Sequence, residues 1–389
     1  RARPDRTWIS FARHPLLKNS EKVGIASLEK IKFAIERSRA TEPLFYEAPH
    51  PPTKAPFAYQ QAGVEYALER EHCLFGDAPG LGKTAEAIML GNAIEAQTTL
   101  VVCPASLRLN WEREIWQWST IENVSTYPVL KSKDGVSLRA NYVVISYALL
   151  SNPSILNALM AGRWDHLILD EAHALKDPKG NKRTQVICAP DLLPSVCGRI
   201  TMASGTILPN QPVECYNACR LLDWDAIDRM SLQAFRETYY DTGPGFITYK
   251  GKPRWSDKVR NVPCNLDDLQ ERLRSKIMVR RLKKQVLTQL PPKRWHVFPI
   301  PLTGKIKKAL AHPGWKQAEK LYEMDAGAFD KGVPIDGELA TARRELGEAK
   351  APAVAEYIKE QLEYEQKKKL VVSAWHRSVL SYLREELAG

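Results

Sequence analysis

Between residues 57 and 222, five short apolar runs, "HCLF", "TLVVCP", "YVVISY", "HLILD" and "RITMAS", alternate with stretches of helical patterning. This alternation limits the fold more than any other feature of the chain. Strands separated by helices pair in parallel, because each connection must cross over the sheet, and the helices then cover both faces. "LVVC" and "LILD" are apolar without a break, which suits strands buried on both sides. The expected fold class is α/β, a parallel sheet with helices on both faces. Its ligand should lie in the loops at the C-terminal ends of the strands.

One such loop belongs to "LFGDAPGLGKTAEA", residues 74–87, where glycines and a proline separate the first run from an alanine-rich helical run. Glycines let the backbone turn tightly with successive N–H groups inward, and the next helix adds its positive end, so the loop can cradle an anion. A polyphosphate fits. Gly80 and Gly82 would allow close approach, Lys83 would reach the outer phosphates, and the Thr84 hydroxyl would sit on the bridging magnesium. Asp77 stands where the general P-loop pattern has its first glycine, and the motif alone also reads as a plain strand-turn-helix junction. The second stretch, "WDHLILDEAHALKD", residues 164–177, ends a strand in adjacent carboxylates. Asp170 would hold the magnesium and Glu171 would orient the water attacking the γ-phosphate. Two acids after a strand also serve to start a helix. A phosphate loop upstream in the same sheet favours the nucleotide site.

The chain has 389 residues, 44% of them hydrophobic, enough for two or three domains. No apolar run approaches the ~18 residues of a membrane span and no secretory segment is recognisable, so an intracellular protein without a membrane partner is expected. The first residue is arginine, which leaves a preceding targeting segment open. Seven cysteines, Cys73, Cys103, Cys188, Cys197, Cys215, Cys219 and Cys264, show no C-x-x-C spacing and read as buried free thiols rather than a zinc site. The formal net charge of +11 suits a polyanionic partner, and the densest basic clusters lie in residues 250–294. Leu107, Trp111, Ile115 and Trp118 share one helical stripe and read as core.

Four regions are expected. Residues 1–56 form an accessory segment, with one amphipathic helix on Ile25, Leu28, Ile31 and Ile35 followed by a proline-rich, extended connector. Residues 57–222 form the α/β lobe. In residues 223–295 the alternation stops, giving a helical, loop-rich region with "DTGPGFITYKGKPRWSDK" as an exposed insertion. Residues 296–389 begin a second α/β unit, with "WHVFPI" and "KLVVSA" as its strands.

"DAPGLGKT" together with "DEAH" resembles motifs I and II of superfamily-two helicases, and in particular the Swi/Snf branch of double-stranded DNA translocases, whose motif I reads D-E-M-G-L-G-K-T. Asp77, Gly80, Leu81, Gly82, Lys83 and Thr84 match, whereas Ala78 and Pro79 depart. Further segments follow in family order. "YQQAGVEYAL" resembles the segment whose glutamine reads the adenine, which implies Gln60. "LVVCPASLRLNWEREI" is similar to motif Ia, and "VVISYALL" to the next strand and turn, implying DNA contacts at Ser106, Arg108, Ser146 and Tyr147. "SGTILPNQPVE" resembles motif III, implying that Ser204, Gly205 and Thr206, with His173, couple hydrolysis to movement; Ile207 replaces the usual proline. "IMVRRLKKQVLTQLPPK", residues 277–293, resembles the connector of the HARP-like annealing-helicase group, implying Arg280, Arg281, Lys283 and Lys284 near DNA. On charge alone that run reads as a solvated basic face. "KLVVSAWHRSVLSYL" is similar to motif IV, with Trp375 in place of a histidine and His376 retained.

The resemblance runs from about residue 57 to 383 and implies RecA-like lobes using ATP and magnesium to move along double-stranded or forked DNA. It does not reach the family's last two motifs, so an incomplete second lobe is expected. Two rival readings follow: an ATP-gated DNA-binding module without efficient turnover, and the motor part of a restriction system, for which the connector would be unexpected.

Overall fold

A computed structural model describes residues 25–178, 180–206, 211–249, 252–291, 294–316, 337–363 and 369–388. The chain divides into two compact units, Arg1–Leu290 and Pro291–Gly389. In the first, the strands are β1 (Cys73–Phe75), β2 (Thr99–Cys103), β3 (Thr126–Pro128), β4 (Tyr142–Ser146), β5 (Trp164–Asp170), β6 (Cys197–Ala203), β7 (Tyr240–Tyr249), β8 (Lys252–Pro263) and β9 (Met278–Val279). The helices are α1 (Ile25–Arg37), α2 (Ala58–Leu68), α3 (Lys83–Ala93), α4 (Arg108–Trp118), α5 (Pro153–Met160), α6 (Lys182–Cys188), α7 (Tyr216–Leu222), α8 (Leu232–Tyr239), α9 (Leu266–Lys276) and α10 (Lys283–Val286).

Seven strands form one sheet in the order β3-β4-β2-β5-β6-β1-β9, every pair parallel. The five expected strands are all present. Their uninterrupted apolar sequences follow from two cores, one on each face. Leu74, Leu100, Val102, Val143, Ile145, Leu167 and Leu169 pack into one. Cys73, Phe75, Val101, Cys103, Val144 and Ile168 pack into the other. Neighbouring residues point to opposite faces of a strand, so a sheet covered on both sides needs apolar residues at every position. Trp111 and Ile115 are buried under α4 with Leu107 and Trp118 packed beside them, as the stripe requires.

Three expectations need correction. The proline-rich segment is extended but not free: Ala48 N–H donates to Gln61 Oε1 at 2.6 Å, and the N–H groups of Leu44 and Phe45 donate to the Glu65 carboxylate at 2.7 and 2.9 Å. Glu65 is itself paired with Arg37 of α1 at 2.7 Å. Prolines keep the chain extended, yet its remaining donors need partners, and α2 supplies them. The supposed loop-rich insertion is instead an antiparallel hairpin of β7 and β8, with register shifts at Asp241/Thr242 and Gly243/Gly245. Its Gly-Pro-Gly sequence breaks the alternation by which a strand is recognised.

The third correction concerns the second unit. Its described helices are α11 (Gly304–Leu310), α12 (Gly337–Glu363) and α13 (Arg377–Glu386), while residues 295–300 and 369–374 are not strands. An apolar run becomes a strand only when a neighbour takes up its backbone N–H and C=O groups. Among the described residues of this unit no strand stands beside either run. Ile207 and the other residues of 207–210 lie outside the described residues, as do residues 1–24.

Candidate nucleotide site

Strands β5, β6 and β1 are adjacent, so their C-terminal ends bring three motifs together. After β1 the chain turns through Gly80 and Gly82, both left-handed with φ of 82° and 81°, and enters α3 at Lys83. A side chain on Gly82 would collide with Gln60 Nε2. Only glycine fits both demands there. Lys83 is half-buried and donates to Asp77 O at 2.9 Å. Burial lowers its pKa from the ordinary lysine value, while Glu86, Asp77, Glu171 and Asp170 pull the other way. One cation faces several carboxylates across the turn, and the half-buried Thr84 follows it.

Gln60 is buried and holds the outside of this turn: Nε2 donates to Leu81 O at 3.1 Å, and Oε1 accepts from Phe57 N–H at 2.9 Å. Tyr59 OH donates to the same Leu81 carbonyl at 3.1 Å. The glutamine therefore meets the phosphate loop from α2.

Asp170 at the end of β5 is buried with each carboxylate oxygen held. Trp111 Nε1–H donates to Oδ2 at 2.8 Å and Glu171 N–H to Oδ1 at 2.9 Å. Burial raises its pKa above the ordinary carboxylate value, with the two hydrogen bonds opposing. Glu171 adopts φ of 49°, rare for a residue with a side chain. Its Oε2 lies 3.1 Å from His173 Nδ1, and the same nitrogen is 3.4 Å from Ser204 Oγ at the end of β6. Ser204 N–H donates to Phe75 O of β1 at 3.0 Å, so Glu171, the histidine and the end of β1 are linked through one serine. Thr206 N–H donates to Ser204 Oγ at 3.3 Å, and a Cβ on Gly205 would stand 2.7 Å from Pro79 Cγ, which keeps this loop against the phosphate turn.

Several residues expected to touch DNA are engaged elsewhere. Ser146 and Tyr147 are buried, and Tyr147 OH donates to Asp170 O at 2.8 Å. Arg108 donates to Ala105 O, Val129 O and Leu130 O, tying α4 to the loop after β3. Arg280 Nη1 donates to Gly76 O at 2.5 Å and Gly205 O at 3.2 Å. Arg281 is fully buried, paired with Asp77 at 2.6 Å and Glu86 at 2.5 Å, and also donates to Tyr59 O. A guanidinium so enclosed has no face left for a nucleic acid. Asp77 is correspondingly a partner of Arg281 and not of a phosphate. Ser106, Lys283 and Lys284 are exposed.

The residues fit Mg-ATP. The left-handed glycines at 80 and 82 let the turn run tightly into the N-terminus of α3, a backbone suited to an anion, and Thr84 with Asp170 offers the hard oxygen donors that magnesium takes. Sequence reasoning placed Trp111 in the core but missed what its N–H does; the stripe gives burial, not direction. Replacing Trp111 by Phe keeps most of the volume and removes the bond to Asp170. The magnesium concentration for half-maximal nucleotide binding should then rise about tenfold, as for other residues that orient metal ligands. A magnesium titration of nucleotide binding checks this.

A glycine turn from β1 into a helix, with paired acids ending β5 two strands away on the same edge, is the arrangement of a P-loop α/β lobe. The SNF2-related domain matches residues 59–335, and the chain belongs to that family. It is similar to the SWI/SNF-related matrix-associated actin-dependent regulator of chromatin subfamily A-like protein 1 of Xenopus tropicalis, 31% identical over 336 residues, covering 85% of this chain and 33% of that protein. It is likewise 31% identical over 337 residues to the DNA annealing helicase and endonuclease ZRANB3 of Homo sapiens, covering 84% of this chain and 29% of the relative. A solved structure, the Sulfolobus solfataricus SWI2/SNF2 ATPase core in complex with dsDNA, aligns with a TM-score of 0.47 at 19% identity over 85% of this chain and 69% of that one. The chain spans about a third of the length of the two relatives.

Proposed function

We propose that this chain binds Mg-ATP at the β1 turn, hydrolyses it in a DNA-dependent manner, and serves as the ATPase core of a motor that moves along double-stranded or forked DNA. The observation that carries this reading is that Lys83, Asp170 and the contact chain Glu171–His173–Ser204 all lie at the C-terminal ends of β1, β5 and β6, three consecutive strands of the sheet. Lys83 and the N–H groups of the turn would bind the β- and γ-phosphates. Thr84 and Asp170 would hold magnesium, which when bound neutralises phosphate charge. Glu171, set apart by its left-handed backbone, would orient the attacking water. His173 would relay the state of that carboxylate to Ser204, and so to the loop carrying Gly205 and Thr206. The net charge of +11 favours a polyanion, and Ser106 and Lys284 are the exposed candidates for phosphate contacts.

ATPase measured with no DNA, single strands, blunt duplex and forks tests the reading. Duplex or fork should stimulate turnover more than single strands. In parallel, Lys83→Ala should lose about 10- to 100-fold in nucleotide affinity, the value of a charge-assisted contact to phosphate. Parent-like binding by Lys83→Ala would end the assignment of this loop. Nucleotide and duplex binding without turnover would support the gated binding module instead.

A further inference from the structure

The connector forms one wall of the phosphate loop. Strand β9 pairs with β1, and the ladder continues beyond it: Gly76 N–H donates to Val279 O at 2.8 Å and Ala78 N–H to Arg281 O at 3.0 Å. Arg281 N–H returns a bond to Asp77 Oδ1 at 2.8 Å. The connector from Val279 to Arg281 thus runs beside the loop from Gly76 to Ala78, and the side chains of Arg280 and Arg281 fasten it there. Leu282 N–H is then taken by Gln285 Oε1 at 2.6 Å, which starts α10. Lys283 comes next. Its Nζ lies 3.3 Å, and its Cε 3.5 Å, from where a Cβ on Gly80 would stand. Gly80 is the residue at which the turn goes left-handed, so no side chain occupies that space.

We propose that Lys283 contacts the phosphates of the bound nucleotide, reaching over the glycine turn from the connector, and is not a DNA contact. This rests on the reading of the turn as an ATP site. An ammonium on a flexible four-carbon stem suits the task, because it can follow a polyphosphate without a fixed fork geometry. Its backbone is placed by the hydrogen-bonded segment before it, so only the side chain has to be ordered on binding. Lys83 approaches from the helix side of the loop and Lys283 from the connector side. Nucleotide binding and docking of the connector should therefore reinforce each other, since each strengthens the same contact.

The test is a titration of the 389-residue chain with a fluorescent ATP analogue and magnesium. Lys283→Ala should weaken binding about five- to tenfold, a solvent-exposed share of a charge-assisted contact. Lys283→Arg should stay within about twofold, because the charge is kept. Lys133→Ala, at an exposed lysine in the loop after β3, should bind nucleotide like the parent. The melting temperature without nucleotide, and the salt slope of duplex binding, should not change in Lys283→Ala. Nucleotide affinity of Lys283→Ala within about twofold of the parent would overturn the proposal. So would a loss accompanied by a lower melting temperature without nucleotide, or a salt slope reduced by about 1, the signature of a lost DNA phosphate contact. Lys83→Ala in the same titration separates the two levels of argument. If it fails to bind while Lys283→Ala binds normally, only the role of Lys283 falls; if Lys83→Ala also binds normally, the ATP-site reading falls with it.

Discussion

Glu171→Gln should bind Mg-ATP as the parent does and hydrolyse it about 10²- to 10⁴-fold more slowly, the usual contribution of a positioned proton acceptor. The carboxylate is half-exposed, held by a backbone of φ 49°, and 3.1 Å from His173 Nδ1. Glutamine keeps the size and can still contact the histidine, but it cannot accept a proton from water. Asp170 is untouched by the change, because its own oxygens are held by Trp111 Nε1–H and by the residue 171 backbone N–H. Binding and turnover therefore separate at this position. Single-turnover hydrolysis beside an equilibrium nucleotide titration makes the comparison, and parent-like turnover would remove Glu171 from the chemistry.

The second large effect is on stability. Arg281→Met should destabilise the first unit by roughly 3–5 kcal/mol, the cost of breaking a buried ion pair from one side. That is on the order of 10 °C in Tm for a unit of this size. Without the guanidinium, Asp77 retains one bond from the residue 281 backbone N–H, while Glu86 loses its ion-pair partner. Even in the parent, burial raises the Glu86 pKa, with Asp77 adding to the rise and Arg281 opposing it. A carboxyl whose folded pKa is raised lends stability below its unfolded pKa and loses it as pH rises through the folded value. The parent follows the same course up to its own Glu86 value of about 8, so the loss in Arg281→Met should deepen as pH is raised through and above that value. Adding Asp77→Asn and Glu86→Gln should recover most of it, since uncharged partners no longer need a counter-charge. A triple variant no more stable than Arg281→Met would show that shape, not charge, makes this site.

The basic run "VRRLKK" shows where reading a sequence stops. Its charge alone reads as a solvated face and its resemblance points to DNA, both outward, yet the two arginines turn inward. Arg281 reaches Asp77 and Glu86 across 204 and 195 residues of chain, and nothing local to the run announces such partners. The proline-rich segment is a similar case, extended as its prolines demand but fixed by Gln61 and Glu65 of a helix that follows it. Trp111 and Tyr147 were legible as a core stripe and a strand end, and became supports of Asp170 only once β2, β4 and β5 were side by side.

What the sequence determined by itself was whatever depends on local spacing. Apolar runs alternating with helical patterns required a covered parallel sheet, and glycine at 80 and 82 before Lys-Thr required a tight left-handed turn into a helix. Carboxylates at 170 and 171 then had to emerge at the same edge as that turn, since parallel strands end on one side. The tertiary structure alone decided which charge meets which. Ion pairs and side-chain hydrogen bonds need atoms within about 3–4 Å, and chain closure over hundreds of residues sets those distances. The connector's seventh strand, the inward arginines and the lysine over Gly80 all come from that closure, because a strand of two residues or a lone cation has no periodicity to betray it.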